Sequence, residues 1–134
     1  MNVKAIKYLT PITVYLLAYV AFTYSGWLTW LPMLYAWILL PMLELFLKPD
    51  GKNLDAAEEE MAKKDKLYDY LLYLFVLLQF IALLYFLYSV KSTTLAWWEI
   101  AGRIFSMGLL CGTFGINIGH ELGHRVNRFE QSLA

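Results

Sequence analysis

Four long apolar runs follow one another along the chain, separated by short turns or by polar segments. They cover about residues 8–24, 27–47, 67–90 and 96–118. A helix of about 20 apolar residues, rising about 1.5 Å per residue, crosses the hydrocarbon core of a bilayer. The pattern therefore predicts an all-α membrane protein with four transmembrane helices in two antiparallel hairpins. The fourth helix is expected to continue to about residue 125.

The segments between the runs support this division. Ser25-Gly26 is a minimal turn between the first two runs, and Lys91–Ala96 is a short loop before the fourth. The clearly polar segment is Lys48–Lys66, which joins the two hairpins and contains the turn signal Pro49-Asp50-Gly51. With 60% of all residues hydrophobic, the composition also favours a membrane protein over a soluble domain.

Positive charge is concentrated on one side of this predicted topology. If four helices alternate in direction, nine lysines and arginines fall on one side, Lys91 falls on the other, and Arg103 lies within the fourth helix. The nine are Lys4, Lys7, Lys48, Lys52, Lys63, Lys64, Lys66, Arg125 and Arg128. Because such residues are enriched on the cytoplasmic side, both termini and the end of helix four are predicted to be cytoplasmic. The aromatic residues that then lie near the outer interface are Trp27, Trp30, Trp97 and Trp98.

The fourth helix carries a polar face and a glycine stripe. At about 100° per residue, the polar residues that share one face are Glu99, Ser106, Thr113, Asn117, His120 and His124. Lipid does not tolerate such a face, so it is expected to point into the bundle or a cavity. Arg103 lies beside it and is able to pair with Glu99. The glycines that predict close helix approach are Gly108, Gly112, Gly115, Gly119 and Gly123.

Three further polar or reactive residues lie within the predicted spans. Glu44 near the end of the second span is expected to reach water at the interface beside Lys48, although an intramembrane acid marks a functional site by default. Gln79 is expected to bond a neighbouring helix rather than a ligand. Cys111 is the one cysteine of the chain, and we expect it to be an inert, buried packing residue.

Both histidines of the chain, His120 and His124, are four residues apart and therefore one helical turn apart on the same side. Two imidazoles so placed can bind one metal ion. With Glu121 they form the pattern His-Glu-x-x-His, in which the histidines of a membrane zinc protease bind zinc and the glutamate is the general base. A further alternative is a non-catalytic membrane interaction protein whose histidines are structural.

The residues around the pair resemble a known family. Gly115-Ile116-Asn117, then His120-Glu121-Leu122-Gly123-His124-Arg125, then Phe129-Glu130-Gln131 are similar to the first histidine box of the alkane 1-monooxygenase family. This is an integral-membrane family of the fatty-acid desaturase and hydroxylase superfamily. Its pattern includes the basic residue after the second histidine, which Arg125 supplies. A zinc protease of the site-2 class would instead carry its motif early, within a helix that continues through the membrane.

The resemblance implies a bacterial inner-membrane enzyme built as a larger histidine-rich di-iron helical bundle. Two irons activate O2, the terminal methyl of an n-alkane is hydroxylated, and rubredoxin supplies the electrons. The partners are thus the lipid bilayer, rubredoxin and the alkane, with no nucleic acid. On this resemblance His120 and His124 are iron ligands, while no further catalytic residue is assigned. We add that Asn117 is placed to orient a ligand.

The chain lacks the later histidine boxes of the family. Two histidines do not complete a di-iron centre, because each iron needs several ligands. Residues 1–134 are therefore predicted to be the N-terminal portion of such a hydroxylase, inactive by itself.

Overall fold

The computed structural model describes residues 11–46, 66–91 and 94–134. This part of the chain is helical and contains no strand. Its helices are α1 (Pro11–Thr23), α2 (Gly26–Phe46), α3 (Lys66–Ser89), α4 (Trp97–Gly123) and the short α5 (Arg128–Leu133). The all-α prediction is confirmed for these residues. The predicted start of the first span, the last residue of the second and nearly all of the polar loop lie outside them.

Three helices are long and apolar enough to cross a membrane: α2, the Asp69–Ser89 part of α3, and α4. Their outward surfaces carry large exposed apolar side chains such as Trp37, Leu45 and Leu84, as lipid-facing positions do. The described part of α1 has 13 residues. At about 1.5 Å per residue it is about 20 Å long, against a hydrocarbon core of about 30 Å. Membrane crossing by the first predicted span, residues 8–24, therefore stays a prediction.

Helix α1 lies at the centre of the packing and contacts α2, α3 and α4. Ala18 and Ala21 are fully buried there, and small side chains let helices approach closely in lipid. Tyr15 joins Phe75 and Phe114 in an aromatic cluster, with ring centroids 5.4–6.3 Å apart. Its hydroxyl also donates to Gln79 Oε1 at 2.9 Å. The prediction that Gln79 bonds a neighbouring helix is thereby confirmed.

The closest helix approach along α4 is at Gly102, outside the predicted glycine stripe. A Cβ built at Gly102 would lie 2.6 Å from Thr29 Oγ1 and 2.8 Å from Trp30 Nε1, at the start of α2. A Cβ at Gly108 or Gly112 would meet no described atom within 4 Å. Among the described residues the predicted close approach is therefore absent at these two glycines, whereas a Cβ at Gly115 would lie 3.4 Å from Gln79 Nε2 and one at Gly119 would lie 3.1 Å from Ala134 O. In the described part of the chain, α4 packs on α2 with the face that carries Gly102 and Ser106.

Replacing Gly102 by alanine is expected to destabilise the protein by about 1–3 kcal/mol, the usual effect of overpacking. Thr29 is fully buried and Trp30 donates its indole N–H to Trp98 O at 3.1 Å, so neither neighbour moves away easily. Unfolding in detergent micelles measures the change. Gly108→Ala is the matched control and should leave the stability nearly unchanged; equal effects of the two variants would contradict the packing.

Glu99 and Arg103, whose spacing makes them able to pair, are both buried, and their hydrogen bonds go to backbone groups. Glu99 accepts hydrogen bonds from the backbone N–H groups of Gly26 and Ala96, which joins the starts of α2 and α4. The Arg103 guanidinium instead donates to three backbone carbonyls. They belong to Ala21 (3.1 Å), Tyr24 (2.9 Å) and Ser89 (2.7 Å), where α1 and α3 end. Arg103 therefore satisfies carbonyls that a helix end leaves without partners.

The predicted grouping of tryptophans is present at this end of the bundle. The rings of Trp27 and Trp98 lie 5.3 Å apart, and Trp30 bonds the backbone of Trp98. The turn between α1 and α2 is also here, with Gly26 at φ +73°, a left-handed conformation that glycine adopts without strain. The histidine-bearing end of α4 lies at the opposite end of the bundle.

A π-helical segment, Cys111–Gly115, interrupts α4. A π-helical turn contains about one residue more than an α-helical turn. Because each residue turns an α-helix by about 100°, the extra residue rotates the positions after the segment by about that angle relative to those before it. Before it, the buried positions include Ser106 and Leu110; after it, they are Ile118 and Leu122. Cys111 itself is exposed, so the expectation of a buried cysteine was wrong.

Candidate metal-binding site

The two histidines lie at the end of α4, where its last segment, Ile116–Gly123, is α-helical. His124 follows directly as the C-cap and donates its backbone N–H to His120 O at 3.3 Å. The two imidazole centroids are 4.5 Å apart, with the ring planes at 70°. Both side chains are exposed. The structure therefore places the rings side by side, one turn apart, as the spacing predicted.

The predicted polar face of α4 is divided in two. Glu99 and Ser106 point into the bundle, whereas Asn117, His120 and His124 are exposed. The face was expected to point into the bundle or a cavity. Thr113 and Asn117 do line a cavity, whereas His120 and His124 are exposed within the described part of the chain. The physical reason is the π-helical segment, because it turns the residues after Gly115 away from the face that Ser106 occupies.

Arg125 anchors this end of α4 to α3. Its Nη1 lies 2.7 Å from Asp69 Oδ1 and 3.6 Å from Glu130 Oε1, and its Nε lies 3.3 Å from Glu121 Oε1. The hydrogen bond that Arg125 donates to Asp69 raises the pKa of Arg125, and the charges of Asp69, Glu130 and Glu121 act in the same direction. Arg125 therefore stays charged throughout the accessible pH range.

A second layer holds the acids around Arg125. Tyr73 donates its hydroxyl to Glu130 Oε1 at 2.7 Å, and Glu130 is buried. Asn127 caps α5 by accepting a hydrogen bond from the Phe129 N–H at 3.0 Å. In the first turn of α5, Glu130 then lies near the Arg125 guanidinium. Asp69 and Tyr73 were missed in the sequence. The signal was available, since the predicted topology places the start of the third span beside the end of the fourth.

Glu121 accepts the Arg125 hydrogen bond and is largely exposed, with 57% of its side-chain surface accessible. The general base of a zinc protease must instead be directed at a zinc-bound water. Asn117 donates to Thr113 O at 2.7 Å, a local bond within α4. The expected role of Asn117 in orienting a metal ligand therefore stays a prediction.

A cavity of about 640 Å³ opens between α1, α2, α3 and α4. Most of its wall is apolar, and its polar rim comes from α4. The lining residues are Pro11, Val14, Tyr35, Leu40, Leu71, Leu72, Phe75, Thr113, Phe114, Asn117, Ile118, Glu121 and Arg125. Glu121, between the two histidines in sequence, lines this space, while His120 and His124 do not. Ligand pockets in proteins have this size and this mostly apolar character.

The donor set fits part of an iron site. Imidazole is a suitable ligand for iron, and two exposed rings with centroids 4.5 Å apart are free to turn toward one ion. Within residues 11–46, 66–91 and 94–134, no cluster of three or more His, Cys, Asp or Glu side chains is placed to hold a metal. The histidine pair therefore supplies two ligands, and a complete site needs others.

Comparison with known proteins identifies relatives in one family. The chain is 31% identical to an alkane 1-monooxygenase of Pseudomonas putida over 72% of its length, and 30% identical to one of Ectopseudomonas oleovorans over 71%. It is 29% identical to alkane 1-monooxygenase 1 of Alcanivorax borkumensis over 82%. These alignments cover only 24%, 23% and 28% of the respective relatives.

No family model matches the chain, and no solved structure matches it significantly. The relatives nevertheless agree with the resemblance seen in the histidine motif, and they extend it well beyond that motif. Over most of its length, the chain is a homologue of part of the alkane 1-monooxygenases.

Proposed function

We propose that the chain is part of a membrane di-iron monooxygenase that hydroxylates the terminal methyl of n-alkanes with O2 and electrons from rubredoxin. One observation carries the proposal. A side-by-side histidine pair lies at the exposed end of a membrane-spanning helix, in a chain about 30% identical to alkane 1-monooxygenases.

His120 and His124 would each bind iron through an imidazole nitrogen. When bound, the di-iron centre supplies the activation of O2 that C–H hydroxylation needs. The remaining ligands would come from a part of the enzyme beyond these residues, since two imidazoles leave most iron coordination positions unfilled. The chain alone is therefore proposed to be inactive, and the length of its relatives supports this.

The architecture proposed for the chain has four spans, with residues 8–24 as the first. The histidine end is proposed to face the cytoplasm of a bacterial cell, and nine positive residues against one support this orientation. The tryptophan cluster at the other end of the bundle supports the membrane limits of the helices, because tryptophan favours both membrane interfaces. A cytoplasmic site would be accessible to rubredoxin as a soluble electron donor.

The cavity is the part of the chain proposed to hold the alkyl group. An alkane has no hydrogen-bonding group, so it is compatible with an apolar wall, where it leaves no polar group without a partner. Leu71, Leu72 and Phe75 of α3 and Phe114 of α4 provide such a wall. The polar rim of the cavity includes Glu121 and Arg125. Each is next to one of the two histidines in sequence, so the cavity lies close to the proposed iron site.

The test is hydroxylation by the complete protein in membrane vesicles. Inside-out vesicles supplied with an n-alkane, 18O2, rubredoxin, its flavoprotein reductase and NADH are expected to form the 1-alkanol carrying 18O. Right-side-out vesicles given the same external rubredoxin are expected to form none. Absence of labelled alcohol in both preparations would overturn the function, and product only in right-side-out vesicles would overturn the orientation. A zinc-loaded protein that cleaves peptides would establish the protease instead.

A further inference from the structure

We infer that Asp69 is a positioning residue for the histidine pair, acting through Arg125. The inference rests on the proposed function, because it assigns His120 and His124 to a metal. It concerns the ion pair between Arg125 Nη1 and Asp69 Oδ1, 2.7 Å apart, which links the end of α4 to the start of α3.

The histidines have little else to fix their direction. Both rings are exposed, and their centroids lie 4.5 Å apart. They also lie where α4 ends, and the last turn of a helix lacks the full set of backbone hydrogen bonds. Their direction therefore depends on how the final turn of α4 is held against its neighbours.

Two residues of that turn are not exposed, and one of them, Arg125, contacts α3. From His120 to Arg125, Leu122 is fully buried, Arg125 is half-buried, and the others are exposed. An apolar contact such as Leu122 sets how closely α4 approaches but is not directional. The Arg125–Asp69 pair is directional and therefore sets the rotation of the turn about its axis. Rotation is the variable that decides where both imidazoles point.

Further contacts around the ion pair restrict the position of Arg125. Glu121 and Glu130 approach the same guanidinium at 3.3 and 3.6 Å, and Tyr73 holds Glu130 from α3. Gln131 of α5 donates to Arg125 O at 2.8 Å. Partly exposed ion pairs contribute little to global stability. The network is therefore suited to orienting the turn rather than to holding the fold together.

The experiment compares metal binding by the complete protein with its Asp69→Asn and Asp69→Glu variants. Asn keeps the shape and removes the charge, while Glu keeps the charge. Anaerobic titration with Fe2+ measures affinity, the absorption spectrum with Co2+ reports ligand geometry, and thermal unfolding in detergent measures the fold. Glu44→Gln, which neutralises an exposed acid on α2, is the matched control.

Asp69→Asn is expected to weaken Fe2+ binding about tenfold or more, as loss of a group that orients a ligand does. Its Co2+ spectrum should change while its unfolding temperature does not. Asp69→Glu should restore both metal readouts, and Glu44→Gln should leave them unaltered. The inference is overturned if Asp69→Asn binds Fe2+ like the unmodified protein, or loses binding only together with its fold. If the unmodified protein binds no iron, the proposed function fails first.

Discussion

Replacing His120 by alanine in the complete protein is expected to remove bound iron and to abolish alkane hydroxylation. His120 would supply one of the two imidazoles at this site, and no described side chain is placed to substitute for it. Loss of a ligand should exceed the roughly 100-fold loss seen when a merely orienting group is removed. Iron content per polypeptide and the rate of 1-alkanol formation are the two measurements. His124→Ala is expected to behave in the same way.

Val126→Ala provides the control for this result, since Val126 is 97% exposed and follows His124 by two residues. It should retain both iron and activity. Full iron occupancy in either histidine variant would remove that residue from the ligand set. Loss of helical structure in the histidine variants is not expected, because both side chains are exposed and support no packing.

Replacing Arg103 by methionine is expected to destabilise the bundle by about 4 kcal/mol or more, because three hydrogen bonds from a charged donor are lost and each contributes about 1.5–3 kcal/mol. The change leaves the carbonyls of Ala21, Tyr24 and Ser89 without their shared donor. These carbonyls lie at the ends of α1 and α3, so both helices lose their hydrogen bonds to α4 at this end of the bundle. Arg103→Lys should recover only part of the loss, because one ammonium lacks the planar fork of donors that the guanidinium presents.

Unfolding of the detergent-solubilised protein, followed by circular dichroism, measures this change. Arg128→Met is the matched control, because Arg128 is exposed and begins α5. It removes the same charge and should shift the unfolding midpoint little. An Arg103→Met variant as stable as Arg128→Met would mean that water or lipid head groups satisfy the three carbonyls equally well.

The helical class and the histidine spacing follow from local pattern. Apolar runs long enough for a bilayer predict helices wherever they occur, since a membrane requires each backbone polar group to be bonded within its own segment. The limits of α2, α3 and α4 accordingly lie close to the predicted ones. The adjacency of His120 and His124 was equally predictable, because a separation of four residues is one turn of any α-helix.

Other features depended on contacts between helices. Gly102, rather than Gly108 or Gly112, is the close-packed glycine, because the helix packing decides which face of α4 meets Thr29 and Trp30. The spacing makes Arg103 able to pair with Glu99, but in the structure its guanidinium donates to backbone carbonyls at the ends of α1 and α3. Neither result is encoded in the spacing along α4.

By itself, then, the sequence determined the helices, their approximate limits and the side-by-side imidazoles, all of which depend on residues close together in the chain. The tertiary structure alone decided the direction of the site. A π-helical segment at Cys111–Gly115 turns the histidines out of the face that Ser106 occupies. Asp69 meets Arg125 across 56 positions of sequence. Such pairings arise from how the helices pack, and the periodicity of apolar and polar residues along one helix does not predict them.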